Sequence, residues 1–549
     1  MTEEFNVGID LGTTYSCLAY IDEDGQPVVD KNYEQEDTTP SVILFNENGE
    51  IIVGSPAKDM AIMYPPERTV AAIKRKMGTD YEVDIDGTKY TPVTLSAAIL
   101  RKMINDFNEN HQCSLERAVI TCPAYFGQEE RDATKLAGTV AGLKDVTIIN
   151  EPTAAAISFG FGSNGGKQRV LVYDLGGGTF DITMLEIDGN SFTAVATDGA
   201  RLLGGKDWDA ALTKIIEQKI AEASGMDEEE VEADDDVRQS LILDSETLKK
   251  RLSTAESTKG TITIGGKKIV YTVTRNEFDA ATKDLVQSTV DLIDKVLSVK
   301  NFTIKDIDAI LLVGGSSRMP QVQKTIGAHF PTANIKIFDP DQSVAKGAAI
   351  YGKSNQAIAT AQQAAKAATE EAKAKNATPE EAAKAGAAAA AATAQAAGQG
   401  DVLNVHNVLS KSFGIKVADD DGTEFVSNII FRNEVLPICA EKTYYPMDDG
   451  QLSIKVELYE DAAENNDDGK RVPVVEGNAV GEFEMELPEN VTKDTPVSVK
   501  FNASDEGILT AAVECMSQHR DYQLQNKIQM SADEIKESQG LMDRVTNGN

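Results

Sequence analysis

The sequence predicts a two-lobed α/β domain followed by a β-sandwich, and three observations carry the prediction. The segment Val7-Gly8-Ile9-Asp10-Leu11-Gly12-Thr13-Thr14 is echoed by Val172-Tyr173-Asp174-Leu175-Gly176-Gly177-Gly178-Thr179. Each is an apolar strand that runs into Asp-Leu-Gly and small hydroxyl residues, and a supersecondary unit repeated in this way implies duplicated lobes. Up to about residue 353, strand-like runs alternate with helix-like ones, the pattern of an α/β domain. After residue 401 apolar residues fall at every second position: Leu452, Ile454, Val456 and Leu458, then Phe483, Met485 and Leu487, then Val497, Val499 and Phe501. That period belongs to half-buried strands of a sandwich.

In chain order, residues 1–353 are the first domain, with buried strands expected at 5–9, 118–121, 169–173 and 309–313. Residues 354–400 are dominated by Ala with Gln, Lys and Glu. Alanine favours helix, but large apolar residues to pack are almost missing, so this reads as a partly helical spacer that loosens the tether to the second domain. Residues 401–406, Asp401-Val402-Leu403-Asn404-Val405-His406, are a linker, residues 407–530 the sandwich, and residues 531–549 a helix start. The capping box Ser531-Ala532-Asp533-Glu534 opens that helix.

The 549 residues suffice for roughly two to four domains. A net charge of −35 repels phosphate backbones and excludes nucleic acid as a partner. The acidic runs at 227–236 and 460–468 read as solvated surface. Cys17, Cys113, Cys122, Cys439 and Cys515 form no C-x-x-C pair, which argues against structural zinc and disulfides and for a reducing compartment. Cys17 reads as an inert buried thiol. The opening Met-Thr-Glu-Glu-Phe lacks the basic and apolar regions of a signal peptide, and the Ala-rich tract is too polar to span a bilayer. No membrane association and a cytoplasmic location are expected.

Two motif matches are set aside. Gly347-Ala348-Ala349-Ile350-Tyr351-Gly352-Lys353-Ser354 has the spacing of a P-loop, but the residues before Gly352 read as helix and Gly352 as its C-terminus. Gly160-Phe161-Gly162-Ser163-Asn164-Gly165 has dinucleotide-loop spacing but follows a helix-like run. The echoed segments carry the chemistry. Their glycines let main-chain N–H groups approach phosphate oxygens, and threonine hydroxyls add donors. Asp10 and Asp174, at the strand ends, suit a hydrated magnesium ion, which needs few protein ligands. Two such loops imply one nucleotide, ATP with magnesium, gripped between the lobes. The turn Gly314-Gly315-Ser316-Ser317-Arg318 suits the nucleoside side, and Gly204-Gly205 before Lys206 is a fourth glycine turn.

Over residues 5–352 the chain resembles the DnaK-type heat-shock protein 70 chaperone family. The resemblance rests on Gly8-Ile9-Asp10-Leu11-Gly12-Thr13-Thr14-Tyr15-Ser16, Pro123-Ala124-Tyr125-Phe126, Ile148-Ile149-Asn150-Glu151-Pro152-Thr153-Ala154-Ala155-Ala156, Asp174 through Asp181, Leu203-Gly204-Gly205 and Gly314 through Arg318. It implies an actin-like fold of duplicated RNase H-like lobes and an ATPase that forms ADP by in-line attack of water on the γ-phosphate. By the same resemblance Asp10, Glu151 and Asp174 surround magnesium and its waters, Asp181 orients the attacking water, and Lys74 stabilises the transferring phosphoryl group. Thr179 joins them in catalysis. Gly12, Thr13, Thr14, Tyr15, Gly176, Gly177, Gly178, Thr179, Gly204, Gly205 and Lys206 would line the phosphates. Glu246, Lys249, Lys250, Ser253, Gly314, Gly315, Ser316, Arg318 and Asp341 would hold ribose and adenine. Pro123 and Arg131 match residues that relay nucleotide state, and Val402 and Leu403 match the interdomain linker. With no basic cluster resembling an arginine finger, slow intrinsic turnover is expected.

Residues 401–530 resemble the family's peptide-binding sandwich, at Ile429-Ile430-Phe431-Arg432-Asn433 through Pro437 and from Phe501 through Asp505-Glu506-Gly507-Ile508-Leu509. Val426, Tyr444, Leu452 and Ile454 would then line a cleft for extended apolar segments of unfolded protein. The family pattern breaks at Asn404 and His406, which replace an apolar and an acidic residue, and at Thr147, where an arginine helps bind J-domain partners. It breaks also at the spacer and in the helical lid, which is missing beyond its opening turns. The resemblance implies an ATP-dependent chaperone with J-domain and nucleotide-exchange partners, but with doubtful J-domain coupling and fast peptide exchange. The alternative is a regulatory co-chaperone or exchange factor that binds ATP without productive cycling. A sugar kinase on the same lobed fold has no use for the sandwich.

Overall fold

The computed structural model describes residues 5–160, 166–264, 266–375, 377–397, 402–419, 421–461, 471–505, 507–523 and 530–546. Two large sheets share one strand order. The first runs Asp145–Asn150, Arg117–Cys122, Val7–Asp10, Tyr15–Ile21 and Pro27–Val29. The second runs Asn334–Ile337, Ala309–Val313, Gln168–Leu175, Phe180–Asp188, Ser191–Ala200 and Asn404–His406. In each, the echoed strand is central, parallel to its neighbour on one side and antiparallel to its hairpin partner on the other. Val170, Leu171, Val172 and Tyr173 are all fully buried, so the run is apolar at every position, as a strand covered on both faces must be.

The helices Glu151–Gly160 and Ser343–Ala374 pack against each other between the sheets. Their contact needs glycine: a Cβ on Gly347 would lie 1.7 Å from the carbonyl oxygen of Ala154. Gly8 is needed likewise, since its Cβ would lie 2.3 Å from the Ala349 nitrogen. The P-loop-like glycine at 347 is therefore a packing residue. Gly352 does not end the helix, as its sequence position suggests, but sits inside it; the Ala, Gln and Lys beyond it propagate helix well enough to carry it to Ala374. Of the glycine loop that starts at Gly160, residues 161–165 lie outside the described residues.

The Ala-rich stretch packs as a hairpin, with Pro379–Ala397 running back along Ser343–Ala374. Small side chains let the two backbones come close, so contact is made without large apolar groups. Ala382 is fully buried, and a Cβ on Gly386 would lie 2.2 Å from Thr369 Oγ1. The excursion closes where it began: the Leu403 N–H donates to Ser354 Oγ at 2.9 Å. A loosened tether is thus not what forms. The linker residues Asn404–His406 form a strand paired in parallel with Ser191–Ala200.

The sandwich stacks two four-stranded sheets. One is Glu424–Ile430, Ser412–Ala418, Ser453–Asp461 and Ala479–Glu486; the other is Ile438–Tyr444, Val497–Ala503, Leu509–Cys515 and Gln518–Gln523. Phe413, Leu458, Phe501 and Val513 fill the space between them. Leu452 falls outside the alternation: it precedes its strand and is 75% exposed.

The sandwich is docked on the first domain. Arg432 pairs with Asp198 at 2.6 Å, and Asn433 Oδ1 accepts from the Thr197 N–H at 2.9 Å. Ser410 Oγ donates to the Phe126 carbonyl at 2.9 Å, and Thr153 Oγ1 donates to Asn407 Oδ1 at 3.0 Å. The helix Ala532–Met542, capped by Ser531 and Glu534, also lies on the first domain. The strand Val545–Thr546 beyond it pairs with Ile51–Val53. All five cysteines are free thiols. Among the described residues no helix is long and apolar enough to cross a membrane.

Candidate active site

The two echoed turns meet face to face. A Cβ on Gly177 would lie 1.9 Å from Thr14 Oγ1, and one on Gly178 would lie 2.3 Å from Thr13 Cγ2. Glycine is required there because the opposing threonines come so close, and it leaves the main-chain N–H groups bare. Each turn is braced from behind. Ser41 Oγ donates to the Gly12 carbonyl at 2.8 Å, and the Gly12 N–H donates to Ser16 Oγ at 3.1 Å. Ser316 Oγ donates to the Gly176 carbonyl at 2.9 Å, and Lys249 Nζ to the Gly205 carbonyl at 2.9 Å. Thr14 Oγ1 is buried without a hydrogen-bond partner. Such an orphan is costly, and a phosphate oxygen between the turns would resolve it.

Beneath the turns the strand ends deliver carboxylates. Asp10 closes the first echoed strand, Asp174 lies near the end of the second, and Asp181 is its register partner. Glu151 opens the helix after Asp145–Asn150, and Lys74 stands in the short helical turn Ile73–Lys76. Lys74 and Glu151 form an ion pair, with side chains 5% and 7% exposed. Thr121 Oγ1 donates to Asp10 at 3.1 Å, and the Ala124 N–H donates to Asp181 at 2.9 Å. Burial pushes Glu151 up to about 7 even though Lys74 pulls the other way. Burial, and then the neighbouring carboxylates, lift Asp174 and Asp181 well above the usual carboxylate range; Asp10 is raised mainly by burial. Burial opposes the charge on Lys74, but Glu151, Asp10 and Asp181 outweigh it and raise its pKa.

Four carboxylates sharing one ammonium leave an excess of buried negative charge that an added cation would relieve. Among the described residues no three His, Cys, Asp or Glu side chains converge closely enough to hold a bare metal ion.

Contacts across the cleft close it. Lys58 Nζ donates to Tyr15 OH at 3.1 Å and pairs with Glu246 at 2.8 Å. Lys250 makes the same two contacts from the other side, at 3.1 and 2.8 Å. Burial alone would raise Glu246, but the two lysines outweigh it and bring the carboxyl down to about 2. Arg75 Nε donates to the Gly178 carbonyl at 2.7 Å, and Arg75 pairs with Asp207 at 2.9 Å. Lys206 lies close by, its pKa lowered by burial and by Arg75. At the third glycine turn Arg318 pairs with Asp341 at 2.5 Å, and Gly314 takes a left-handed φ of +76° that favours glycine. Gly204 packs on the Gly178 backbone, and Gly315 faces Asp341. Ser253 Oγ donates to the Lys249 carbonyl of its own helix at 3.3 Å. Neither Lys58 nor Arg75 is marked by the sequence motifs; the one signal in the sequence is the basic run Lys74-Arg75-Lys76. Cys17 is buried, and burial raises its thiol well above the ordinary range.

In the sandwich, Val426 is 2% exposed on the outer strand of its sheet, and Tyr444 OH donates to Ser427 Oγ at 3.1 Å. Ile454 packs against the sandwich core, while Leu452 stands in solvent.

Paired glycine turns above buried carboxylates, in a domain hydrogen-bonded to a β-sandwich, suit an ATPase linked to a second domain. Residues 6–360 and 354–546 match the family model described as Hsp70 protein, and the chain belongs to that family. It is 36% identical over 544 residues to the chaperone protein DnaK of Thermotoga petrophila and to that of Thermotoga maritima, covering 97% of this chain and 82% of each relative. The chaperone protein DnaK of Thermosipho africanus is 35% identical over 542 residues, with the same coverage. The protein is accordingly an ATP-dependent molecular chaperone and an ATP hydrolase. The regulatory alternative gains nothing from these relatives, each of which is named a chaperone.

Proposed function

We propose that residues 1–353 act as two duplicated RNase H-like lobes of an actin-like ATPase that close on ATP with magnesium, and that this cycle controls how the sandwich at 407–530 holds extended apolar polypeptide. The observation that carries the reading is the buried Lys74–Glu151 pair, set among Asp10, Asp174 and Asp181 beneath the paired glycine turns. Asp10, Glu151 and Asp174 would hold a magnesium ion, which would supply positive charge to offset that of the phosphates. Asp181, fixed by the Ala124 N–H, accepts a hydrogen bond from the attacking water and aligns it. Lys74 stabilises charge on the γ-phosphoryl oxygens, with Thr13, Thr14, Thr179 and the bare N–H groups of both turns. Glu246, Lys249, Lys250, Ser253 and Arg318 border the nucleoside.

A hydrogen-bonded route joins this site to the sandwich. Asp181 accepts from Ala124, which follows Pro123. Arg131 holds the same loop through the Phe126 carbonyl at 3.1 Å and Asn150 Oδ1 at 2.7 Å. Phe126 accepts from Ser410 of the sandwich. Val402 and Leu403 lead into the linker strand, with the Val402 carbonyl held by Asn190 at 3.2 Å. J-domain proteins and exchange factors are the partners the family implies, and Thr147 in place of arginine weakens J-domain stimulation. The test is ATP-triggered release of a labelled peptide from the wild type and from Lys74→Ala. Release from both, with hydrolysis only in the wild type, supports the reading. ATP binding that leaves peptide untouched in the wild type would return the protein to the regulatory class.

A further inference from the structure

Lys74 stands in a turn that its own hydrogen bonds do little to fix. Ile73–Lys76 is a single short helical turn, entered through Ala72 at a left-handed φ of +57° that alanine adopts only at a cost. Within it the Arg75 N–H donates to the Ala72 carbonyl at 3.1 Å and the Met77 N–H to the Lys74 carbonyl at 3.2 Å, both at the long end of the ordinary range. Ile73 and Met77 seat the turn in the apolar core around the first large sheet. A second hold comes from the facing side. Arg201 follows the strand Ser191–Ala200 of the second large sheet. Its Nε donates to the Arg75 carbonyl at 3.2 Å, and its Nη2 to the Met77 carbonyl at 2.6 Å. Its Nη1 donates to Glu130 Oε1 at 3.1 Å, and Glu130 packs on the same loop, where a Cβ on Gly78 would lie 2.7 Å from Glu130 Cγ. Arg75 returns the hold through the Gly178 carbonyl and Asp207. The residue next to Lys74 is thus held by its carbonyl and by its side chain, both times from the second sheet.

We propose that Arg201 is a positioning residue for ATP hydrolysis: it registers the turn that carries Lys74 against the strand that carries Asp181. The inference rests on the roles given above to Lys74 and Asp181, and adds the element that sets the distance between them. Arg201 comes directly after Ala200, the register partner of Phe180, and Gly199 is the register partner of Asp181. The guanidinium therefore leaves the backbone beside Asp181 and ends on the backbone beside Lys74. A planar fork with several N–H groups can serve two carbonyls and a carboxylate at once, which a lysine ammonium on its flexible stem does less rigidly. Where the backbone of the turn lies decides where the Lys74 ammonium reaches, and stabilising charge on a transferring phosphoryl group tolerates little displacement. With Arg201 in place, the ammonium and the group that aligns water move as one unit. Without it, the turn is left to its own weak bonds and to the apolar seat of Ile73 and Met77.

The experiment measures single-turnover ATP hydrolysis by the full chain, with ATP affinity titrated separately. Arg201→Ala should slow hydrolysis about 10- to 100-fold, the range for a reacting group displaced by up to about 1 Å. ATP affinity should stay within about threefold of the wild type, since the lost hold acts on the transition state rather than on bound ATP. Arg201→Lys keeps the charge but not the fork, and its rate should fall between the two. Hydrolysis at the wild-type rate in folded Arg201→Ala overturns the inference. Equal loss of rate and affinity also overturns it, because Arg201 would then serve the binding surface as a whole. If Arg201→Ala does not fold, Arg201→Lys is read by the same split: slower hydrolysis at unchanged affinity supports the role, and a wild-type rate overturns it. Lys74→Ala, measured in parallel, separates the two readings. Wild-type hydrolysis in Lys74→Ala would defeat the role of Lys74 itself, whereas a slow Lys74→Ala beside a fast Arg201→Ala would defeat the role of Arg201 alone.

Discussion

The carboxylate cluster of the first domain and the outer strand of the sandwich are built in opposite ways. The cluster is made of strand ends and turns locked by burial: Lys74, Glu151, Asp174, Thr179 and Asp181 are all under a tenth exposed, and the two glycine turns interlock through Thr13 and Thr14. The sandwich offers main-chain groups at a sheet margin, where Val426 is bridged to Val472, and Leu452 stands in solvent. Chemistry on a phosphate needs atoms fixed to a fraction of an ångström, while recognition of varied polypeptide needs a repeating backbone pattern and side chains that yield. Rigidity at one end and looseness at the other are each matched to the ligand.

The sharpest way to break the comparison is to add one methyl group to the rigid end. Gly177→Ala would place Cβ 1.9 Å from Thr14 Oγ1 and 2.8 Å from Thr14 Cβ, a clash that rotating the hydroxyl does not remove. Overpacking of this kind costs about 1–3 kcal/mol, so ATP affinity should fall up to about 100-fold in a nucleotide titration while peptide still binds the sandwich. ATP binding at wild-type strength would show that the turns are not held as rigidly as their contact implies.

Between the two regions lies an interface with a pH dependence of its own. Glu460, in the sandwich, points at Gly127 of the first domain, and its Oε2 is buried without a hydrogen-bond partner. Burial pushes its carboxyl up to about 7; Lys411 offsets part of this, and Glu130, Glu129 and Asp461 add to it. The docked state therefore favours the neutral acid over the ion. Its contribution to docking is complete below the ordinary value of 4.5 and is lost as pH rises to about 7. Glu460→Gln should keep the domains docked across that window and tighten docking at pH 7.5 by about tenfold, the equivalent of one pKa unit. Energy transfer between dyes on the two domains reads this out, and an unchanged pH profile in the variant would remove Glu460 from the interface.

The same contrast explains what could be read from the sequence. The strands Val7–Asp10, Arg117–Cys122, Gln168–Leu175 and Ala309–Val313 were legible because burial on both faces demands unbroken apolar runs. The paired turns were legible because close approach to phosphate tolerates few residue types. The Ala-rich stretch departs from a loose spacer because helix contact does not need large side chains: Ala382 and Gly386 bring the backbones together instead. The end assigned at Gly352 failed because glycine inside a helix also serves packing. Lys58 and Arg75 were invisible because each finds its partner across the cleft, at Glu246 and Gly178, and no local pattern encodes such pairs.

The Lys58 clasp gives a smaller effect. Its pair with Glu246 is partly exposed, so its loss should cost about 0.2–1 kcal/mol and speed ADP release up to about fivefold in Lys58→Ala. Glu246 is held low, at about 2, so the clasp's contribution is present above 4.5 and lost only as pH falls toward 2. The acceleration should therefore be constant from pH 6 to 8 and fade in high salt. ADP release that is no faster in the variant would place control of exchange elsewhere.

The smallest effect tests whether the loose end is loose by design. Leu452 and Leu458 share one apolar spacing in the sequence, but Leu458 lies within the strand and is 1% exposed, whereas Leu452 precedes it and is 75% exposed. Truncating a buried leucine costs about 2–5 kcal/mol, so Leu458→Ala should lower the melting temperature of the sandwich by several degrees. Leu452→Ala should leave stability within about 0.5 kcal/mol, as surface substitutions do. If an exposed leucine beside the cleft serves clients rather than the core, the same change should weaken peptide binding a few-fold with no shift in melting. A drop in melting temperature as large as that of Leu458→Ala would instead assign Leu452 to the core, and the exposed wall of the cleft would have to be sought among other residues.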